Sequence, residues 1–369
     1  MSGFKSSKLY KAYWRMQWIQ ESKIFLQEKQ KFLQEAKSYY SSGGDKGTLK
    51  DYRKAFNKHR VTINEYVYGY EYWKLSEIER DEFVSKSEMH CIYRKMIRGS
   101  VRNTFHKKES FLQKFSVFVH RDWSLVRDLS FEQFEAFLKK HDSILKPLDG
   151  TCGEGIFKLV YSTDKDLRSI YEKCFADNYL MEECVQSCTE FAEFHPHSLN
   201  TIRVVTVSKG EKCVVFGALL RMGAHGNVVD NTHAGGVFAP INVETGRIDV
   251  PAIDGKNNKY TEHPDSGKTI VGFEIPYWQD IVETCKKATQ TIPGIVFAGW
   301  DLCVLPDGSI EIIEGNHAPD FDGGLQAPLK VGVKKKIFGI IRDLYGITPR
   351  NLISFFGKNY NNYDFFQND

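Results

Sequence analysis

The chain has 369 residues, 41% of them hydrophobic and 26% charged, with a formal net charge of +3. That length allows two or three subdomains and a sizeable core, and the near balance of charge argues against a protein devoted to nucleic acid. No stretch approaches the roughly 18 uninterrupted apolar residues of a membrane span.

Residues 1–40 place apolar side chains at helical spacing among Lys, Glu and Gln, so a helix is expected. This segment shows no apolar core followed by a small-residue cleavage site and does not read as a secretory signal. The eight cysteines are scattered, and the close pair Cys184 and Cys188 has no second pair at zinc spacing. Reduced thiols in a cytoplasmic protein are the expectation. Ser41 to Gly47 is a loop by composition, and 48–115 reads as mostly helical. The early aromatics, among them Tyr66, Tyr68, Tyr70, Tyr72 and Trp73, are expected to pack between helices, with sugar stacking as the competing reading.

Near residue 115 the texture changes. Short β-branched and aromatic runs alternate with turn signals at Phe115–His120, Ile144–Pro147, Gly155–Tyr161, Tyr179–Val185, Thr201–Val207, Val214–Arg221, Ile295–Leu305 and Ser309–Glu314. Helical patterns lie at about 130–141, 164–176 and 278–291. The expected body is α+β with antiparallel sheets.

Three segments carry chemistry. In the first, Leu145-Lys146-Pro147-Leu148-Asp149-Gly150-Thr151-Cys152-Gly153-Glu154-Gly155, a short strand delivers a lysine to a glycine loop. Glycines let backbone N–H groups approach phosphate, and the lysine adds point charge; an ordinary glycine-rich hairpin is the alternative. In the second, Tyr179 to Val185, an apolar strand ends in Glu182 and Glu183 and could present a hinge to a purine; an exposed strand end is the alternative.

The third runs from Gly299 to Asn316 around Asp307-Gly308, a signal for a two-residue hairpin. In that register Pro306 faces Ser309 and Asp301 faces Glu314, with Cβ atoms about 4.5–5.5 Å apart. Asn316 shares the face of Glu314. Facing carboxylates repel unless a cation joins them, and hard oxygen ligands suit Mg²⁺, which fills its shell with phosphate and water. A three-residue loop would break this register, and two unrelated surface acids are the competing reading.

Taken in order, these segments resemble the ATP-grasp superfamily. The spacing Asp301…Glu314-Gly315-Asn316 is similar to the metal motif of D-alanine–D-alanine ligases and ribosomal-protein glutamate ligases, and Asn231-Thr232-His233-Ala234-Gly235-Gly236 resembles an Asn-x-His-x-Gly-Gly segment of the latter. His195-Pro196-His197-Ser198-Leu199-Asn200-Thr201-Ile202-Arg203, with Gly299-Trp300-Asp301, looks like the sugar-transfer-associated ATP-grasp proteins. The resemblance covers about 105–330. It implies an ATP-grasp subdomain with the glycine loop at 105–190 and a metal-site subdomain at 191–330, and the residue patterns add a helical region at 1–104, in place of the family's usual α/β pre-domain, and a C-terminal helix and tail at 331–369.

The resemblance also implies roles. ATP binds with two Mg²⁺ ions (Mn²⁺ as a substitute), one on Asp301 and Glu314, the second on Glu314 and Asn316. Lys146 contacts the α-phosphate side, and the Gly150, Gly153 and Gly155 loop closes over the β- and γ-phosphates. Glu182, Glu183 and Val185 form the adenine hinge, and Glu190 takes the ribose. The earlier lysine is Lys107 or Lys108, with Lys108 favoured. Some relatives carry arginine where this chain has Gly299, so Arg203 or Arg221 must supply that charge. His233 or His317 is the expected base for an amine.

The implied reaction is ATP-dependent amide formation between a carboxylate and an amine or amino acid, with a saccharide or other small-molecule substrate in surface polysaccharide synthesis. A kinase acting on a hydroxyl and a nucleotide-binding scaffold are the alternatives. A homodimer fits the resemblance. Two basic amphipathic stretches, Lys5, Lys8, Lys11 and Arg15 with Trp14 and Trp18, and Lys334 to Lys336 with Ile337, Ile340, Ile341 and Leu344, suggest peripheral contact at the inner face of a membrane; solvated faces of packed helices are the competing reading.

Overall fold

The structure is a computed structural model. It describes residues 8–149, 154–196, 198–226, 235–320 and 322–347, with side chains from residue 23 onward and, in the helix Asp322–Leu329, from Leu325. Gly150, Gly153, His197 and His233 lie outside the described residues.

The N-terminal region is helical, as its spacing predicts. A long helix, Lys8–Ser41, packs on Leu49–His59. Thr48 caps the second helix, its hydroxyl accepting from Asp51 N. Tyr52, Phe56, Tyr66, Tyr70 and Tyr72 are buried together with Phe83, with Trp73 packed against them; Tyr66, Tyr70 and Tyr72 take the packing role expected of them, while Tyr68 is exposed. Arg80 closes this small core from one side with a two-pronged pair to Asp51.

His59 is 1% exposed in this region, its ring edge-on to Tyr72 at 5.6 Å. Burial, reinforced by the charge of Lys334, pushes its imidazole down to about 4. The folded protein therefore keeps His59 neutral at a pH where the unfolded chain protonates it. Its contribution is complete above the ordinary imidazole pKa and is lost as pH falls through about 4, a loss on the order of 3 kcal/mol. His59→Phe is expected to flatten the acid limb of stability. Urea unfolding of both proteins at neutral and acid pH checks this, and an equal loss in both would contradict it.

Two antiparallel sheets follow. The smaller contains β1 (Trp123–Leu125), β2 (Ser143–Pro147), β3 (Phe157–Leu159) and β4 (Tyr179–Glu183) in the order β1-β4-β2-β3. Helices Phe131–Lys140 and Leu167–Ala176 cover one face, burying Phe134, Leu138 and Cys174 against Leu145, Leu159 and Met181. The larger contains β5 (Thr201–Lys209), β6 (Lys212–Met222), β7 (Val237–Ile241), β8 (Ala252–Ile253), β9 (Lys259–Tyr260), β10 (Phe297–Val304) and β11 (Ile310–Asn316). Its order is β11-β10-β5-β6-β7-β8-β9.

The larger core extends outside the sheets. Helices Lys86–Met96, Gly99–His106 and Lys108–Lys114 contribute Ile92, Val101, Phe105 and Phe111 to it. Trp300 of β10 lies at its centre, fully buried against Phe105, Phe111 and Phe115, and its indole N–H donates to Thr206 and Thr289.

Two expectations are corrected. Phe115–His120 is not a strand: Phe115 N donates to Phe111 O and a 3₁₀ turn, Ser116–Phe118, extends the preceding helix. The aromatic run packs Phe115 into the core instead of alternating across a pleat, and the strand comes later, at β1. The second basic stretch lies in helix Lys334–Tyr345, where Ile337 and Ile341 are buried in the larger core. Lys334 pairs with Glu88, Lys335 with Glu82, and Lys336 donates to Phe216 O. Its apolar residues Ile337 and Ile341 and the charge of Lys334 are thus taken up inside the fold, while Lys335 and Lys336 are exposed and held by partners at the surface. Among the described residues no helix is long and apolar enough to cross one.

Candidate active site

The hairpin of β10 and β11 sets the geometry. Its turn holds three residues, not two: Leu305 N donates to Ser309 O, Gly308 N donates to Leu305 O, and Gly308 has φ +85°. That pairs Val304 with Ile310 and Leu302 with Ile312, one residue out of the two-residue register. A bulge at Ile313 then restores it, and Asp301 faces Glu314, Trp300 faces Gly315, and Gly299 faces Asn316.

Arg203 of β5 stands directly opposite Asp301 on its other side. The result is a row of charge across adjacent strands, Glu314, Asp301, Arg203, with Arg221 of β6 beside it. The Arg203 guanidinium grips both oxygens of Asp301, from Nε to Oδ1 and from Nη2 to Oδ2 at 2.6 Å. Arg221 Nη1 lies 3.1 Å from Oδ1. Asp301 is 2% exposed. Burial alone would raise its carboxyl, but Arg203 and then Arg221 outweigh it and hold the group well below the usual carboxylate range.

Glu314 behaves oppositely. Its side chain is exposed, yet the surrounding protein and the neighbouring Asp301 charge push its carboxyl up to about 7. The two carboxyl groups are cross-strand neighbours close enough to act on each other's charge. Asn316 Nδ2 is 3.5 Å from Glu314 Oε1, so a turn of the amide would bring its oxygen to the same point.

Gly299 explains how Arg203 reaches Asp301. A Cβ there would lie 2.6 Å from Pro319 Cβ and 3.2 Å from Arg203 Cδ. The absent side chain leaves the room that Arg203 and Pro319 fill. Gly299→Ala is expected to displace Arg203 and weaken magnesium–nucleotide binding by roughly tenfold to a hundredfold. Calorimetric titration would check it, and unchanged affinity would contradict this reading of Gly299.

The smaller sheet brings a second set of charges. Lys146 of β2 pairs with the buried Glu182 of β4. Lys108, at the start of its helix, donates to Pro147 O at 2.8 Å and Leu148 O at 3.2 Å. Burial pushes its ammonium down, and Glu314, Lys146 and Glu182 all lie close enough to act on it. Lys107 is exposed. Lys108 is therefore the lysine brought to Lys146 and Glu314.

Other expected residues are placed as follows. Glu182 turns inward to Lys146 and Arg121 and presents nothing at the hinge surface. Glu183 accepts from Asp122 N at 3.1 Å and lies 3.4 Å from His141 Nδ1. Val185 is half-buried just beyond β4, and Glu190 is exposed in the one-turn helix Thr189–Ala192. Gly155 has φ +73°, and a Cβ there would meet Pro147 Cγ at 2.8 Å. His317 packs beside His106 with ring centroids 4.7 Å apart. Burial, then His106 and Arg102, push its imidazole down to about 4, so it is neutral at pH 7.

Sequence reasoning missed Arg121 and Glu311. Arg121 is 5% exposed and Glu311 fully buried, and they pair with each other. No local pattern could reveal them, because the partners of Arg121 lie 61 and 190 residues away. The conspicuous motif residue Asn200 proves structural: its amide donates to Phe191 O and His195 O and accepts from Gly223 N.

The chain is similar to several solved structures. They include the ATP-grasp ligase PsnB with precursor peptide PsnA2 and AMPPNP (16% identity, 60% of this chain and 52% of that one, TM-score 0.36). They also include the ADP complex of purK, N5-carboxyaminoimidazole ribonucleotide synthetase (12%, 62% and 52%, TM-score 0.39), and N5-carboxyaminoimidazole synthase from Aspergillus clavatus with ADP and 5-aminoimidazole ribonucleotide (12%, 68% and 58%, TM-score 0.40). The chain thus spans little more than half the length of these structures. No curated protein matches it by sequence. The family model for sugar-transfer associated ATP-grasp proteins matches residues 113–336, which contain both sheets, the hinge and the carboxylate hairpin. The chain belongs to the sugar-transfer-associated ATP-grasp family.

Proposed function

We propose that this protein is an ATP-dependent carboxylate–amine ligase. It forms an amide through an acyl phosphate, joining an amine or amino acid to a sugar acid or related substrate of surface polysaccharide synthesis. The observation that carries this reading is the register that sets Asp301 against Glu314 with two arginines alongside.

The residues fit a magnesium–nucleotide complex better than a bare cation. Asp301 and Glu314 face each other across the hairpin, and the Asp301 charge raises the Glu314 carboxyl, a repulsion that a divalent cation held between them relieves. Asp301 is already neutralised by Arg203 and Arg221, so a cation that brings phosphate charge with it is the better match. Asp301, Glu314 and Asn316 would hold Mg²⁺, which supplies charge neutralisation to the phosphates when bound.

The chain's own groups do the rest by positioning and charge. Lys146 and Lys108 stand on the phosphate side, and Arg203 and Arg221 face the charge that develops as the γ-phosphoryl group moves to the acid. Val185 and the backbone around Glu183 receive the adenine, and Glu190 the ribose. His317, neutral at pH 7, or His233 takes the proton of the attacking amine.

The test is an ADP-release assay over candidate sugar acids and amines. The proposal expects release that needs both substrates together with an amide product by mass. Release with a sugar alcohol and no amine would replace ligation with phosphorylation of a hydroxyl. ATP binding without turnover under all combinations would leave a nucleotide-binding scaffold.

A further inference from the structure

Arg121 lies just before β1, between the two sheets, and its guanidinium is almost wholly enclosed, with the side chain 2% exposed. On one side Nε and Nη2 donate to Glu182 Oε1 at 2.9 and 2.6 Å. The other oxygen of Glu182 meets Lys146. On the other side Nη1 bonds to Glu311 and donates to Ile312 O at 2.9 Å, while Nη2 donates to Ile313 O at 3.0 Å. His120 N donates to the second oxygen of Glu311 at 2.6 Å, fixing that carboxylate in turn.

The two carbonyls matter most. In a regular strand successive carbonyls point to opposite sides. Here neighbouring carbonyls serve one guanidinium, and they belong to the bulge that carries Glu314 back into register with Asp301. β11 is an edge strand, so on the side away from β10 no strand offers donors to its carbonyls. Arg121 does so in its place, and the same side chain fixes the carboxylate that aims Lys146. Two carboxylates, Glu182 and Glu311, 3% and 0% exposed as side chains, flank it, so among the described residues Arg121 is the one cation in contact with both and its removal leaves buried negative charge uncompensated.

We propose that Arg121 is a positioning residue: it pins the β11 bulge and Glu182 together, and so sets the phosphate-side lysine Lys146 at a fixed place relative to the metal-side carboxylate Glu314. The inference rests on the nucleotide reading of the site given above.

The experiment is calorimetric titration with ADP, with and without Mg²⁺, on the wild-type protein, Arg121→Lys and Glu311→Gln. Arg121→Lys keeps the charge but cannot serve both carbonyls and Glu182 at once. The factor by which Mg²⁺ strengthens ADP binding is expected to fall about tenfold or more in Arg121→Lys, and measurably in Glu311→Gln. Combining Arg121→Lys with Lys146→Met should cost less than the product of the separate effects. A purely structural Arg121 would lower thermal stability and leave the Mg²⁺ factor unchanged, and that result in a folded variant overturns the inference. Should Arg121→Lys fail to fold, an unchanged factor in Glu311→Gln overturns it equally. Wild-type protein that binds no ADP with Mg²⁺ overturns the nucleotide reading and this inference with it. Wild-type binding with unaltered variants overturns the inference alone.

Discussion

Asp301→Asn is expected to lower ATP turnover by about a thousandfold or more, beyond the loss from removing a single transition-state hydrogen bond. The substitution keeps size and shape and removes one negative charge. That charge is the counter-ion for Arg203 and Arg221 and, on the proposed reading, a metal ligand as well. Its loss leaves two guanidinium groups facing each other and repelling any cation brought to the row. The arginine side chains are 14% and 18% exposed, so water partly compensates them. The stability cost should stay at about 1–3 kcal/mol, below the 5–15 kcal/mol typical of a folded domain. Turnover measured beside a thermal melt separates the effects. A folded Asp301→Asn protein with near wild-type turnover would exclude the row as the reacting site.

Trp300→Ala is expected to cost about 3–5 kcal/mol, the range for deleting a large aromatic from a packed core. The expense is mainly cavity. Thr206 and Thr289, which accept from the indole, remain hydrogen-bonded to each other and to Ala298 O and Cys285 O, so neither hydroxyl is stranded. What disappears is the surface on which Phe105, Phe111 and Phe115 pack. The same rings carry the helices that place His106 and Lys108. Nucleotide affinity should therefore fall along with stability, whereas Trp300→Phe should retain most of both. Urea unfolding and ADP titration on the two variants would show it. An unchanged midpoint in Trp300→Ala would contradict the placement of this core.

The sequence made the architecture legible where spacing is local. The helical first hundred residues, most strands of both sheets and the long amphipathic helices follow from period and turn chemistry. The hairpin is the instructive case. Counting from Asp307-Gly308 as a two-residue turn set Asp301 opposite Glu314, and they do face each other. The route is different: a three-residue turn shifts the ladder by one, and the bulge at Ile313 shifts it back. Glycine at 308 with positive φ signals the first deviation. The second lies where Arg121, a residue remote in sequence, donates to the carbonyls of Ile312 and Ile313, and could not be read from the hairpin.

The same limit applies to charge. A lysine run followed by isoleucines has one pattern whether it faces a membrane or a core, and only the partners Glu82, Glu88 and the Phe216 carbonyl decide for Lys334 to Lys336. Glu182 beside Glu183 likewise looks like a paired acidic edge. One turns inward to Arg121 and Lys146 and the other outward to Asp122 and His141, because successive strand residues point to opposite faces.

The central claim is that the row of Glu314, Asp301, Arg203 and Arg221 is a metal–nucleotide site. A crystal of the protein grown with ADP and Mn²⁺ tests it most directly through the anomalous signal of the metal. The account predicts manganese bound by Asp301 and Glu314, with Asn316 on the second position and the ADP phosphates on the side of Lys146 and Lys108. Manganese and ADP bound away from these residues, or ADP bound with no metal in the row, would contradict it.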